Sequence, residues 1–417
     1  MTEDPHRSPY GPAASPYVTP SSPYEVSPYD PAPYTDYTVP AAAPAAAPAP
    51  ADDPPPAPPP PPGNPGSPGS LGSPGSLGDL GPDRPRGEGR RISQPSGVRR
   101  FVRAAVLPAL GTLLLAWAMT TLVGDVRWGP FSVVPVAFAS VSPLIVVAAL
   151  PVIVIAIQRR RWAALVPAAV AAGLPWIFVI GYALPADPPA GTTVPLRAMI
   201  VTAHDGTADA ADIVTAVRAQ RPDLLVVTEL SAQLAHDLAV AGLPDGLAAR
   251  YVSVPEAGTS PAAGIGVYSR FTVDGVRPLP GTHWPAVTAR VLVGRTPVTL
   301  VAGHAVQPST THLDRWRRDL SAFRAAELLK GPVLELVNLN ATPWNAQFRW
   351  MVSGRLHDAA DVLGRGLRPT WPAWSPLPLL ATDHALVAGL GVSELSALPV
   401  AGSDHRALSV GLVVPVS

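Results

Sequence analysis

Three long apolar runs between residues 101 and 184 constrain the fold of this chain more than any other feature. They cover about 101–123, 138–157 and 162–184, and Arg103 is the one charged residue inside them. A helix of about 20 apolar residues can cross the hydrocarbon core of a bilayer. Prolines within the runs would interrupt a soluble helix, but a membrane bundle tolerates them. The sequence therefore predicts a three-helix membrane anchor over 99–185.

Arginines flank these runs unevenly, which predicts how the anchor is oriented. Arg159, Arg160 and Arg161 separate the second run from the third. A further group lies at the start of the first run: Arg90, Arg91, Arg99, Arg100 and Arg103. Because Lys and Arg are enriched in cytoplasmic flanks, we expect a multi-pass protein of the cell membrane. Its N-terminus would be cytoplasmic, residues 186–417 would be extracytoplasmic, and the lipid bilayer would be a partner.

The first 92 residues are rich in proline, glycine, serine and tyrosine, and Ser-Pro-Tyr recurs within them. Such a segment buries too little apolar surface to offset the entropy lost on ordering. We therefore expect a disordered, proline-rich cytoplasmic tail with local polyproline II structure. Two interpretations stay open, a flexible tail or a docking segment for a proline-reading partner.

After a Pro/Gly-rich linker at 186–193, residues 194–417 alternate between short apolar strands and helices. Strands are predicted at 194–203, 223–230, 264–271, 286–293, 297–305, 332–340, 382–387 and 406–414, and helices at 208–220 and 313–329. Several strands follow one another directly, which favours a layered α/β sandwich over a purely parallel sheet. Acids and bases balance at 30 each and cysteine is absent. The chain thus lacks the positive charge of proteins that grip long nucleic acids, and it has no thiolate chemistry.

Polar residues that could bind a metal or handle a proton recur where the apolar strands end. They are His204, Asp205, Glu229, His304, Asn338, Asn340, Asp383, His384, Asp404 and His405. A single acid at a strand end is usually a cap or a solvated turn. Repetition of the pattern at six strand ends indicates one shared site on a rigid scaffold.

The order of these motifs resembles that of the endonuclease/exonuclease/phosphatase superfamily, which has the DNase I-like fold. The matching segments are LLVVTEL at 224–230, GIGVYSR at 264–270, VAGH at 301–304, VNLNAT at 337–342, TWP at 370–372, TDH at 382–384 and SDH at 403–405. The resemblance implies a DNase I-like four-layer α/β sandwich over 194–417, behind the membrane anchor and the tail.

The resemblance also implies a phosphoesterase that uses Mg²⁺ or Mn²⁺. Its substrate would be a phosphoester of a small molecule, a lipid headgroup or a nucleic acid. The implied metal-side residues are Glu229, Asp404 and His204. The implied phosphate-side residues are His405, which Asp383 would orient, Asn340, His304 and Asn338.

Two positions depart from the superfamily's pattern. His204 stands where the first motif has asparagine, so that His204 or Asp205 would have to reach the metal. Asn338 stands where the superfamily has an aspartate that orients or activates the attacking water. An amide accepts no proton near neutral pH, and loss of a general base lowers rates about 10²–10⁴-fold. Two hypotheses therefore stay open, a working phosphoesterase or an impaired pseudoenzyme that binds a phosphorylated ligand or a protein partner.

Overall fold

The computed structural model describes residues 96–123, 129–244, 246–256 and 258–416, and the predicted tail at 1–92 lies outside the described residues. The strands are β1 Thr193–Thr202, β2 Leu224–Thr228, β3 Ala248–Ser253, β4 Ile265–Ser269, β5 Val273–Pro278, β6 Val287–Val293, β7 Thr296–His304, β8 Val333–Asn338, β9 His357–Asp358, β10 Asp383–Ala388, β11 Gly391–Leu398 and β12 Ala407–Pro415. The helices are α1 Ser96–Met119, α2 Val133–Ser140, α3 Ile145–Gln158, α4 Trp162–Gly173, α5 Ala210–Gln220, α6 Ala232–Ala241, α7 Leu313–Arg324, α8 Ala346–Met351 and α9 Ala359–Leu363.

Two six-stranded sheets form the domain that follows the apolar helices. Their orders are β11-β12-β1-β2-β4-β3 and β5-β6-β7-β8-β10-β9. The pairs β1/β2 and β7/β8 are parallel, whereas neighbours such as β1/β12 and β8/β10 are antiparallel. Apolar side chains from both sheets share one core. Helices α5 and α6 pack on the outer face of the first sheet, and α7 and α8 pack on that of the second. The predicted α/β sandwich is confirmed.

Four strands were not predicted, namely β3, β5, β9 and β11. Each forms an edge of its sheet or pairs with only one neighbour. Their side chains are mostly exposed or half-buried, unlike those of β2, β4, β8 and β10, which are buried throughout. An edge strand needs no continuous apolar run, so the pattern that identifies central strands is missing there.

The second apolar run does not form the single helix predicted at 138–157. The helices on either side of Val141 meet at a bend of 61°. Pro143 has no N–H to continue the helical ladder, and the Ser142 hydroxyl donates instead to the Phe138 carbonyl at 3.1 Å. Among the described residues, Ala104–Leu122 and Trp162–Val179 are long and apolar enough to cross a membrane, and the bent pair would make three spans.

Small residues allow the apolar helices to pack closely. A Cβ added at Gly111 of α1 would lie 2.7 Å from the carbonyl oxygen of Ala164 in α4. Close approach at small residues is typical of helix packing in membranes, where lipid offers no hydrophobic gain for association. The glycine therefore fixes how near α1 and α4 can lie.

Candidate active site

The predicted strand-end motifs meet at one end of the sandwich. Parallel pairing places the end of β1, Thr202, beside the end of β2, Thr228. It likewise places His304 beside Asn338 at the ends of β7 and β8. Because β10 runs antiparallel to β8, its first residue, Asp383, lies opposite Asn338. The two sheets thus bring their polar ends together around a cleft of about 490 Å³.

Seven of the eight predicted site residues line this cleft, and Asp383 lies behind its wall. The residues in the wall are His204, Glu229, His304, Asn338, Asn340, Asp404 and His405. A smaller cavity of about 140 Å³ beside Arg197 and Gln220 contains none of them, so the chemistry-bearing residues point to the larger cleft.

Backbone strain is concentrated at the same strand ends. Four cleft residues other than glycine have positive φ, at 48°, 52°, 58° and 48°: His204, Asp205, Glu229 and Asn340. In the described chain only Arg160 and Arg221 share this feature. A left-handed non-glycine residue costs roughly 1–2 kcal/mol, so surrounding contacts must hold these turns in place.

A buried histidine–aspartate pair forms the back of the cleft. His405 Nδ1 lies 2.7 Å from Asp383 Oδ2, and both side chains are buried. Burial lowers the pKa of His405, but the Asp383 carboxylate outweighs that effect and raises this pKa to about 9. Burial raises the pKa of Asp383, but His405 reverses that effect and leaves it below its usual value. Near neutral pH, His405 is therefore a cation next to an ionised carboxylate.

The second pair in the cleft, His304 and Glu229, has the opposite electrostatics. His304 Nε2 lies 3.4 Å from Glu229 Oε1. Burial lowers the pKa of His304 to about 3, which leaves its ring neutral. Burial also raises the pKa of Glu229, although the backbone N–H of Asp205 donates to its Oε2 at 2.7 Å. The Trp284 ring lies nearly parallel to the His304 ring, with 6.2 Å between centroids.

Asn338, in the wall of the cleft, has an unused hydrogen-bond donor. Its Oδ1 accepts from the backbone N–H of Asn340 at 3.0 Å, which fixes the orientation of the amide. Its buried Nδ2 has no hydrogen-bond partner in the described part of the chain. An unpaired buried polar group costs about 1–3 kcal/mol, and an acceptor on a ligand would remove that penalty. Asn340 Nδ2, in contrast, donates to the Ala305 carbonyl at 2.9 Å.

On the metal side, His204 and Asp404 contact each other. His204 Nδ1 lies 2.9 Å from Asp404 Oδ1, and Trp371 Nε1 donates to Asp404 Oδ2 at 3.3 Å. Within the described residues, no group of three His, Asp or Glu side chains is arranged to hold a metal ion. Mg²⁺, however, commonly takes only one or two carboxylates together with waters and substrate phosphate.

The carboxylates of this cleft fit such an ion. Asp205 and Asp404 both raise the pKa of Glu229, so negative charges crowd where a cation would stabilise them. Glu229 and Asp404 would hold the metal through oxygen, the donor that Mg²⁺ and Mn²⁺ prefer. His204 is half-exposed and directed at Asp404, and its role as a ligand stays a prediction.

Thr202 supports the site but was not among the predicted site residues. Its hydroxyl donates to Asp383 Oδ1 at 2.6 Å and accepts from the Thr228 hydroxyl at 3.2 Å. Asp383 is thus held on one oxygen by Thr202 and on the other by His405. The sequence feature that could have identified Thr202 is a polar residue at the last position of an apolar strand.

His384, beside Asp383, stabilises the turn that contains Asn340. Its Nδ1 lies 3.1 Å from Asp358 Oδ2, and its Nε2 lies 3.0 Å from the Ala341 carbonyl oxygen. Both partners are acceptors, so both ring nitrogens must carry protons. Burial lowers the pKa of His384, but Asp358 outweighs that effect and raises it.

The comparison with protein families identifies this domain. The model of the Endonuclease/Exonuclease/phosphatase family matches residues 201–405, which contain both strand-end pairs and the whole cleft except Ser140. No curated protein matches the chain in sequence.

Several solved structures are similar to the domain. An endonuclease/exonuclease/phosphatase family protein from Bacteroides thetaiotaomicron is 14% identical with a TM-score of 0.44, and the match covers 54% of this chain and 100% of that chain. Humanized D. rerio TDP2 is 13% identical with a TM-score of 0.44, over 52% of this chain and 98% of that chain. A mannosyl-6-phosphatase from Bacteroides thetaiotaomicron VPI-5482 is 14% identical with a TM-score of 0.43, over 52% and 99% respectively.

Proposed function

We propose that this chain, whose residues 201–405 form an endonuclease/exonuclease/phosphatase domain, is a membrane-anchored, extracytoplasmic, metal-dependent phosphoesterase. The observation that carries the proposal is a pair of donors at one cleft. His405 is a buried cation, and Asn338 Nδ2 is a buried donor without a partner among the described residues. A phosphate oxygen is an acceptor that suits both.

Hydrolysis of a phosphoester joins a water oxygen to phosphorus and breaks the ester P–O bond, and the released oxygen takes a proton. His405 Nε2 and Asn338 Nδ2 would donate to phosphate oxygens, where negative charge develops. Preorganised donors of this kind are usually the largest single contribution to such catalysis. Asp383 holds the His405 ring by Nδ1, so Nε2 is the ring atom left for the substrate.

Mg²⁺ or Mn²⁺ at Glu229 and Asp404 would neutralise charge on the phosphoryl group when bound. His304 cannot replace it as a charge, because its pKa of about 3 leaves it neutral. His304 and Asn340 would instead shape the wall of the cleft and complete its hydrogen bonds.

The membrane part of the proposal rests on the apolar helices. Ala104–Leu122 and Trp162–Val179 have the length and composition of spans, and the bent pair around Val141 would supply the third. The arginines at 159–161 and those between 90 and 103 would lie on the cytoplasmic side. Three crossings of the membrane would then leave the domain outside. Protease added to intact cells should then remove the domain, and its protection would contradict this orientation.

One observation favours a second candidate, a pseudoenzyme that binds a phosphorylated ligand. Asn338 donates but accepts no proton, and the neutral His304 has a pKa too low for an efficient base near pH 7. Binding would keep every donor described above, whereas turnover also needs a group that takes the proton from water.

The deciding experiment uses the full chain in lipid nanodiscs with Mg²⁺ or Mn²⁺ and aryl phosphomonoester and phosphodiester substrates. We expect metal-dependent hydrolysis that falls about 10²-fold or more in His405→Gln and Glu229→Gln. His236→Gln on α6 and Asp274→Asn on β5, both exposed, are matched controls. Inactive wild type with strong turnover in Asn338→Asp would refute the enzyme and support the pseudoenzyme. Calorimetric titration with each metal separates loss of binding from loss of turnover.

A further inference from the structure

The cleft is built partly from the predicted membrane anchor. Ser140, the last residue of α2, lies in its wall. The Ser140 hydroxyl lies 3.1 Å from Asn345 Oδ1, and Asn345 Nδ2 donates to the Val136 carbonyl of α2 at 3.0 Å. The bend in the second apolar run, at Val141, is therefore the point where the anchor meets the cleft.

The segment 342–349, which follows the Asn340 turn, contacts the other two apolar runs as well. Arg349 donates to the Thr121 carbonyl at the end of the first run. Its guanidinium also lies 3.9 Å from the centre of the Phe178 ring in the third run. Trp344 Nε1 donates to a carbonyl of that run at 3.0 Å. These contacts hold the cleft at the ends of the helices, where lipid headgroups would lie.

A loop at the mouth of the cleft exposes apolar side chains. This rim loop, residues 371–380, contributes Trp371 and Leu380 to the wall and contains no charged residue. Three of its large side chains are exposed, by 80%, 77% and 46%: Trp374, Leu377 and Leu379. Scattered exposed apolar residues are ordinary, but a group of them marks a surface for a protein or a membrane. Tryptophan in particular is enriched at bilayer interfaces.

The charge of the cleft suits one phosphate rather than a chain of them. None of the 20 residues in its wall is Lys or Arg. Proteins that bind nucleic acids rely on several such residues along the phosphate backbone. A ligand with one phosphoester and an apolar remainder fits both a wall without Lys or Arg and the apolar rim loop.

We propose that the cleft takes the phosphoester headgroup of a lipid in the same bilayer, with the rim loop resting on the membrane surface. This inference rests on the proposed function, since it needs both the anchor and the hydrolysis. The bond changes are those given above, with water adding to phosphorus and an alcohol leaving with a proton.

Docking of the rim loop can be measured without turnover. The chain has no cysteine, so Leu377→Cys and Leu328→Cys can each carry one fluorescent label in the vesicle-reconstituted full chain. Leu328 is a matched control, because it is 79% exposed and ends the turn Ala325–Leu328 that follows α7. His312, which directly precedes α7, lies in the wall of the cleft. Leu328 is therefore roughly 20 Å from the cleft, measured along the helix. We expect spin-labelled lipid to quench position 377 about twofold more than 328, and equal quenching would overturn the inference.

The substrate is tested with phosphatidic acid and phosphatidylglycerol, each as a long-chain lipid in the vesicle and as a water-soluble short-chain analogue. We expect about tenfold or faster hydrolysis of the long-chain form, because the membrane supplies its local concentration. Leu377→Ser should reduce hydrolysis of the long-chain lipid more than that of the analogue, and Leu328→Ser should reduce neither.

The outcomes distinguish the two proposals. Equal hydrolysis of analogue and lipid would overturn the lipid inference and leave the phosphoesterase intact. Selective quenching at 377 without hydrolysis of either form or of the aryl phosphoesters would refute the phosphoesterase, while the membrane-docked rim loop stands. Hydrolysis of the lipid together with selective quenching supports both.

Discussion

At the scale of single residues, two histidines in one cleft differ in charge because their surroundings differ. The ionised Asp383 next to His405 raises the pKa of its imidazole to about 9. Burial, with a smaller contribution from the nearby His405, lowers the pKa of His304 to about 3. The sequence made both histidines candidates for the phosphate side of the site, whereas burial and the nearest ionised group decide the charge of each.

Thr202 tests how the His405–Asp383 pair is held. Thr202→Val removes the 2.6 Å hydrogen bond to Asp383 and keeps the side-chain shape. Hydrogen bonds to charged groups contribute about 1.5–3 kcal/mol, so we expect turnover at least about tenfold lower with unchanged metal affinity. Thr288→Val on β6 is the control. Unchanged turnover in Thr202→Val would show that the remaining partners of the carboxylate, His405 and Thr382, are enough to orient it.

Glu335 is a buried carboxyl that the site does not use. It lies on β8 between Val301 and Leu386, and both its oxygens lack hydrogen-bond partners among the described residues. Burial raises its pKa well above the usual value. Folding therefore opposes its ionisation, and the penalty grows as pH rises above about 4.3.

We expect Glu335→Leu to stabilise the protein by about 1–3 kcal/mol, and by more at pH 7.5 than at pH 5. Thermal unfolding of the full chain in detergent at both pH values measures this. Glu394→Leu, at an exposed position of β11, should show no such pH dependence. A destabilised Glu335→Leu would mean that a polar partner holds the carboxyl.

At the scale of elements, His384 joins strand β10 to β9 and to the Asn340 turn. Its raised pKa means that its contribution to stability is fully present below pH 6.5 and is lost as pH rises through the folded-state pKa. We expect the difference in melting temperature between wild type and His384→Gln to be largest near pH 6 and to shrink at higher pH. A constant difference across pH would show that His384 acts by packing against Phe348 and not by charge.

Elements with a clear apolar pattern could be predicted from the sequence, including β6 and α7, which bury only one face, whereas the edge strands could not. The continuous apolar runs of β2, β4, β8 and β10 indicated strands, and the polar residues at their ends indicated the site. Edge strands have no such run. The bend at Val141 lies inside an apolar run, which does not by itself indicate a bend. The contact between Thr202 and Asp383, 181 positions apart, depends on how the sheets pack, which no local pattern encodes.

At the scale of the whole molecule, Arg349 joins the domain to the apolar helices. Burial lowers its pKa to about 10, which keeps it charged at neutral pH. It donates to the carbonyls of Pro343 and Thr121 and contacts Phe178. We expect Arg349→Met to lower the melting temperature of the full chain by several degrees, since about 1 kcal/mol shifts it by about 2–4 °C at this size. Arg365→Met, at an exposed position, is the control, and equal melting temperatures would show that the contacts with the apolar helices contribute no stability.

The absence of Lys and Arg from the cleft wall has a kinetic consequence. Without a positive field, the site does not steer anionic substrates from bulk solution, and ionic strength should change its rate little. A lipid substrate would instead arrive by lateral diffusion in the plane of the bilayer. The rate would then follow the mole fraction of substrate in the membrane that holds the enzyme, and adding more vesicles of the same composition would leave it unchanged.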